Sequence, residues 1–144
     1  MPRLAIANMM IGFVILFLAA CAGAFRAFDL TEAFIKDQEL LGQWEMVLLN
    51  SAHGHTNMFA MIQILFGLTM PWSRLSLRWK QWQTFSITSG AFAMGPLMMI
   101  RASMGPEEST HPIAILIGVF LSLSLAAIAT HGGGLAAKVW QRHG

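Results

Sequence analysis

The chain has 144 residues, of which 56% are hydrophobic and 11% charged, whereas about a quarter of a soluble domain is charged. So few charges cannot coat a water-facing surface. A formal charge of +2, with its basic residues scattered through short connections, excludes nucleic acid as a partner. The single cysteine, Cys21, excludes an intrachain disulfide.

The first apolar segment, Leu4 to Phe25, has Asn8 as its only strongly polar residue. Leu18-Ala19-Ala20-Cys21 resembles a lipoprotein cleavage box, but the segment is read here as a retained transmembrane helix. From Ala27 to Gln43, Leu30, Ala33, Phe34 and Leu41 recur at helical spacing among Thr31, Glu32, Lys36 and Asp37, which predicts a short interfacial helix in the first outer loop. The second segment, Met46 to Met70, carries His53 and His55, and the third runs from Trp82 to Ile100. Ser109-Thr110-His111-Pro112 then starts a helix, with a hydroxyl near the cap and proline in the first turn. The fourth segment, Ile113 to Thr130, is expected to end at Gly132-Gly133-Gly134.

Each segment approaches or exceeds the ~20 residues that span a hydrocarbon core, and none alternates as a strand would. The expected fold is all-α: one domain, residues 1–144, forming a four-helix integral membrane bundle. Arg3, then Arg74, Arg78 and Lys80, then Lys138 and Arg142 mark three regions without an acid. Asp29, Glu32, Asp37, Glu39 and Glu45 crowd the first connection beside Arg26 and Lys36, and Glu107 and Glu108 accompany Arg101 in the third. Positive-inside bias puts both termini in the cytoplasm of a bacterial inner-membrane protein. Trp72, Trp79, Trp82 and Trp140 fall at that edge and Trp44 at the other.

The run Asn50-Ser51-Ala52-His53-Gly54-His55-Thr56-Asn57 is where chemistry is expected, because ionisable groups inside a span usually face the bundle interior and mark a site. In the expected topology Asn50, His53, His55, Asn57, Arg101 and His111 share one level in the outer third of the membrane. Two residues apart on a helix, His53 and His55 point about 200° apart and cannot chelate one ion unless Gly54 breaks the helix. Asn50, His53 and Asn57 share one face, and Ser51 and His55 the other. No acid accompanies them, which argues against zinc, magnesium and di-iron carboxylate chemistry. A haem needs one axial imidazole, a flat apolar slot and a cation for its propionates, which His53, the Met- and Phe-rich helices, and Arg101 or Arg26 would provide. Met58, Met98 or Met99 would be a second axial ligand. His131 and His143 are expected to be solvated, and the bland alternative is that the cluster only bridges helices.

The stretch from Ala52-His53-Gly54-His55 to Leu68-Thr69-Met70-Pro71 resembles the second transmembrane helix of the styrene oxide isomerases, where an Ala-His pair opens the helix and a proline closes it at the spacing of His53 to Pro71. Gly90 and Gly95 match a pair of glycines in the family's third helix. The resemblance implies a membrane homotrimer that holds haem b between subunits, with His53 as axial ligand. It also implies a ferric iron acting as Lewis acid to rearrange an epoxide, a small hydrophobic substrate, to an aldehyde. The chain departs from the family where an asparagine and a tyrosine are expected: Phe59 and Leu97 stand there, and the chain has no tyrosine. Asn57 or His55 would then orient the substrate. Two other readings stay open: a non-catalytic accessory subunit of a larger membrane complex, and a bis-histidine electron carrier using His53 with His55 or His111.

Overall fold

The computed structural model describes residues 2–36, 43–106 and 111–140, which are helical with no strand among them. Four rods run up and down. They are α1 (Arg3–Lys36), α2 (Trp44–Thr69), a third rod made of α3 (Leu77–Phe92), a π-helical turn (Ala93–Leu97) and α4 (Met98–Ser103), and finally α5 (Pro112–Trp140). A 3₁₀ turn, Met70–Trp72, comes after α2. Two helices, α1 and α5, are long and apolar enough to cross a membrane. Leu41, the acids Asp37, Glu39, Glu107 and Glu108, the Ser109–Thr110 cap, and Arg142 and His143 lie outside the described residues.

Two expected boundaries are corrected. The interfacial helix is the continuation of α1, which runs unbroken to Lys36. No proline or glycine interrupts the chain between Gly23 and Lys36, the Thr31 hydroxyl donates to the Ala27 carbonyl at 2.7 Å, and Lys36 pairs with Glu32 one turn back. The glycine run does not end α5, which continues through it to Trp140. Glycine costs a helix only about 1 kcal/mol relative to alanine, and Gly134 is held because Ser73 and Leu75 pack where its side chain would be.

The third rod starts at Leu77, capped by Ser76, whose hydroxyl accepts from the Trp79 N–H at 3.5 Å. Its wide turn has a covalent cause. Pro96 has no N–H for the Phe92 carbonyl and its ring would press on that group, so the helix widens locally.

Helix α2 is central, with α1 along one side, α3 and α4 on another, and α5 packed along α3. A Cβ on Gly12 would fall 2.7 Å from the Ala60 carbonyl and one on Gly67 2.6 Å from that of Ala5, so α1 and α2 meet backbone to backbone. Phe59, Phe66, Ile87, Met94, Leu97 and Ile117 fill the core.

Two buried polar networks lie in the half of the bundle near the α2–α3 connection. Asn8 Nδ2 donates to Thr84 Oγ1 at 2.8 Å, while Gln63 Nε2 donates to Asn8 Oδ1 at 2.8 Å and to Thr88 Oγ1 at 3.2 Å, tying α1, α2 and α3 together. The second network centres on His131, which is 5% exposed rather than solvated. Its ring stacks on Phe66 at 4.2 Å, Nε2 meets Thr69 Oγ1 at 2.8 Å, and Nδ1 donates to Gln83 Oε1 at 3.1 Å. Gln83 Nε2 donates to Thr130 Oγ1 at 3.0 Å, which fixes the amide and turns Oε1 towards the ring. The continuation of α5 past Thr130 is what carries His131 inward.

Charge divides the ends. Arg3, Arg74, Arg78, Lys80 and Lys138 gather where α2 joins α3, whereas the described acids, Asp29, Glu32 and Glu45, all lie at the opposite end.

Candidate cofactor site

A cavity of about 400 Å³ opens between α1, α2 and the third rod, within the size range of cofactor sites. Ile15, Leu18, Ala19 and Ala22 of α1 form one wall, and Ala91, Phe92, Gly95, Pro96 and Met99 of the third rod the other. Its polar contributors are His53 and Thr56 of α2 and Thr88 of α3. The wide turn at Pro96 therefore shapes the cavity, and π-turns recur at functional sites for this kind of reason.

His53 is set by two contacts. Its ring lies against Gly23, where a Cβ would come 2.7 Å from Nε2, so α1 passes close enough to hold the imidazole only because residue 23 has no side chain. The Asn57 amide, one turn on, is 3.1 Å from Nε2. Nδ1 is buried without a hydrogen-bond partner. Two arrangements satisfy the Asn57 contact: the amide nitrogen donates to Nε2, leaving an N–H at Nδ1, or the amide oxygen accepts from Nε2–H, leaving a lone pair at Nδ1. The second arrangement suits a metal, because ligating histidines nearly always have the far nitrogen hydrogen-bonded. An unpaired buried polar group costs about 1–3 kcal/mol, so a partner for Nδ1 recovers that cost.

The threonines act differently. Thr56 donates its hydroxyl hydrogen to the Ala52 carbonyl at 2.7 Å and Thr88 donates to that of Thr84 at 2.8 Å. The Thr88 oxygen in turn accepts from Gln63 Nε2 at 3.2 Å, so it belongs to the polar network between α2 and α3.

The remaining expected residues are spread around α2. His55 is exposed on the far side, its Nδ1 donating to the Ser51 carbonyl at 2.8 Å, and Asn50 is exposed as well. Arg26 and Arg101 both reach the first turn of α2, outside the cavity lining. Arg26 Nη2 lies 3.0 Å from Met46 Sδ. Arg101 is buried, 5.0 Å over the Trp44 ring, and donates to the Gly105 carbonyl at 2.8 Å. Arg26 Nε and Trp44 Nε1 are buried donors without partners. His111 stands at the start of α5, where its Nδ1 accepts from the Ile113 N–H at 3.3 Å. The structure thus joins His53 to Asn57 and draws Arg26 and Arg101 to one turn, but brings Asn50, His55 and His111 to neither group.

Sequence reasoning missed Gly23, Thr56 and Thr88. The Thr84–Thr88 pair, one helical turn apart inside an apolar span, and Gln63 facing it were the available signal. Among the described residues no three His, Cys, Asp or Glu side chains gather as a metal cluster, so a metal held here would bring most of its own ligands. No family model matches the chain, and no curated protein or solved structure is significantly similar to it.

Proposed function

We propose that the chain crosses a bacterial inner membrane four times with both termini in the cytoplasm, and that the cavity holds haem b with His53 as axial ligand. The membrane reading is supported by the apolar length of α1 and α5, by the division of charge, and by outward-facing Phe13, Phe17, Phe85 and Leu125. The observation that carries the cofactor assignment is the His53 ring at the wall of an apolar cavity, with Nδ1 buried and lacking a hydrogen-bond partner and Nε2 beside Asn57.

The surrounding residues fit a flat apolar ring with an acidic edge. Ala19, Ala22, Ala91 and Gly95 keep the walls thin. Arg26 Nε and the Trp44 indole N–H lie near the first turn of α2, about 10–14 Å along the helix from His53, and are donors suited to carboxylates. A ferric haem here would supply a Lewis acid for the oxygen of an epoxide or similar small hydrophobic substrate, opening it to a carbonyl product without net redox change.

The chain's own groups do the rest. Gly23 and Asn57 fix the imidazole. Thr56 and Thr88 place their hydroxyl hydrogens on backbone carbonyls of their own helices, which supports assigning electrophilic activation to a group bound at His53. Leu18, Phe92 and Met99, each exposed on the side of the bundle, leave an edge through which a bilayer-dissolved substrate enters. The resemblance to styrene oxide isomerases adds a homotrimeric assembly.

A second reading, an accessory membrane subunit, is favoured by the His131 network, whose hydrogen bonds join three helices. The ultraviolet–visible spectrum of detergent-purified protein, with a pyridine extract, separates the two. A Soret band near one haem per chain, lost in His53→Ala while the variant stays folded, supports the first. Protein that is colourless even after haem is added leaves the second.

A further inference from the structure

We propose that the basic end of the bundle binds an anionic phospholipid, seated in a recess between α3 and the last turns of α5. This rests on the reading that the helices cross a membrane with that end in the cytoplasm. The recess measures about 370 Å³ and is lined by Arg74, Leu75, Trp79, Thr130, Gly133 and Gly134, among others.

Its parts divide as a headgroup seat and a chain seat. The connection before α3 is held against α5: the Arg74 N–H donates to the Gly134 carbonyl at 3.4 Å, and Ser73 packs where a Cβ on Gly134 would be. That contact fixes Arg74 at the rim with its guanidinium exposed, a planar donor fork that matches phosphate. Trp79 is half exposed beside it, as indoles are at headgroup level. Below the rim, Gly133 is exposed with no atom within 4 Å of where its Cβ would stand, so α5 offers an acyl chain a smooth wall.

The other flank of α5 repeats the recipe independently. A recess of about 330 Å³ there is lined by Trp72, Leu135, Lys138 and Val139, again one cation and one tryptophan against an aliphatic floor. The charge balance selects the headgroup. Arg3, Arg74, Arg78, Lys80 and Lys138 lie at this end with no carboxylate among the described residues there, so nothing pairs with the ammonium of a zwitterionic lipid.

Native mass spectrometry of the full chain in neutral detergent tests this, titrating phosphatidylglycerol against phosphatidylcholine of identical acyl chains. The expected result is a preference of about fivefold or more for phosphatidylglycerol, the worth of one interfacial arginine against an anionic lipid. Arg74→Gln should reduce the preference, Arg74→Lys should keep most of it, and Arg74→Gln combined with Lys138→Gln should abolish it. Gly133→Leu, which leaves charge unchanged, should weaken both lipids while elution on size exclusion stays the same. Equal binding of the two lipids to the wild type overturns the proposal, as does a preference left unchanged by Arg74→Gln. Full displacement by millimolar glycerol phosphate would also overturn it, assigning the seat to a soluble anion. Release of the chain from membranes by carbonate washing would instead defeat the membrane reading beneath it.

Discussion

Gly23 and His53 are fitted to each other: a Cβ on Gly23 would stand 2.7 Å from the imidazole Nε2, so the smallest residue of α1 faces the largest polar ring at the cavity. Gly23→Ala should turn His53 away from its present position while the Gly12 and Gly67 contacts keep α1 on α2. Haem occupancy after reconstitution, read as Soret absorbance per chain, is expected to fall about tenfold or more, because a misplaced supporting shell costs a metal site about 10–100-fold. Wild-type occupancy in Gly23→Ala would show that the ring is not held from α1.

Asn57 acts on His53 through one hydrogen bond, at 3.1 Å, and does not line the cavity. It is a positioning residue. Asn57→Leu removes the bond and should weaken haem retention by about 10–100-fold against a competing apoprotein. Asn57→Asp keeps an acceptor one turn from His53 and should retain most of the affinity. Equal loss in both variants would point to packing.

His55 tests the electron-carrier alternative. It is exposed on the opposite side of α2 and bonded to Ser51, so His55→Ala should leave the spectrum of bound haem unchanged. Conversion from a low-spin to a high-spin spectrum in this variant would mean that His55 ligates iron, from a neighbouring copy if not its own.

The His131 network predicts a particular non-additivity. His131→Phe leaves Gln83 Oε1 without its donor, and Gln83→Leu leaves His131 Nδ1 without its acceptor. Each single variant should lose about 1–3 kcal/mol, since an orphaned buried group bears its full desolvation cost, whereas the double variant should lose less than the sum. Reversible unfolding in mixed detergents gives the cycle, and simple additivity would mean the two side chains do not interact.

Helix content and the two long apolar helices, α1 and α5, were legible in sequence because hydropathy over about 20 residues is a strong signal and no strand period competes with it. Helix ends were not. α1 passes through Asp29 and Glu32 to Lys36, and α5 through three glycines, because intrahelical hydrogen bonds tolerate polar and glycine residues whenever no proline interrupts. His53 was legible from the cost of burying an imidazole among apolar residues. Gly23 was not, since its importance is a contact with a residue 30 positions away that no local pattern carries. The inward turn of His131 likewise depends on where α5 ends, so a misplaced terminus hid it.

The wide turn at Ala93–Leu97 also sets the phase of α4. Each residue advances an α-helix by about 100°, and a π-turn takes up roughly one residue more than an α-turn. Arg101 and Ala102 are therefore rotated by about a quarter to a third of a circle relative to an unbroken helix. Arg101 lies over Trp44 because of that offset. Pro96 is thus a dial as well as a wall: it decides which side of α4 looks inward, and removing one residue upstream of Met98 would swing the buried guanidinium out of the bundle while leaving every other side chain chemically intact.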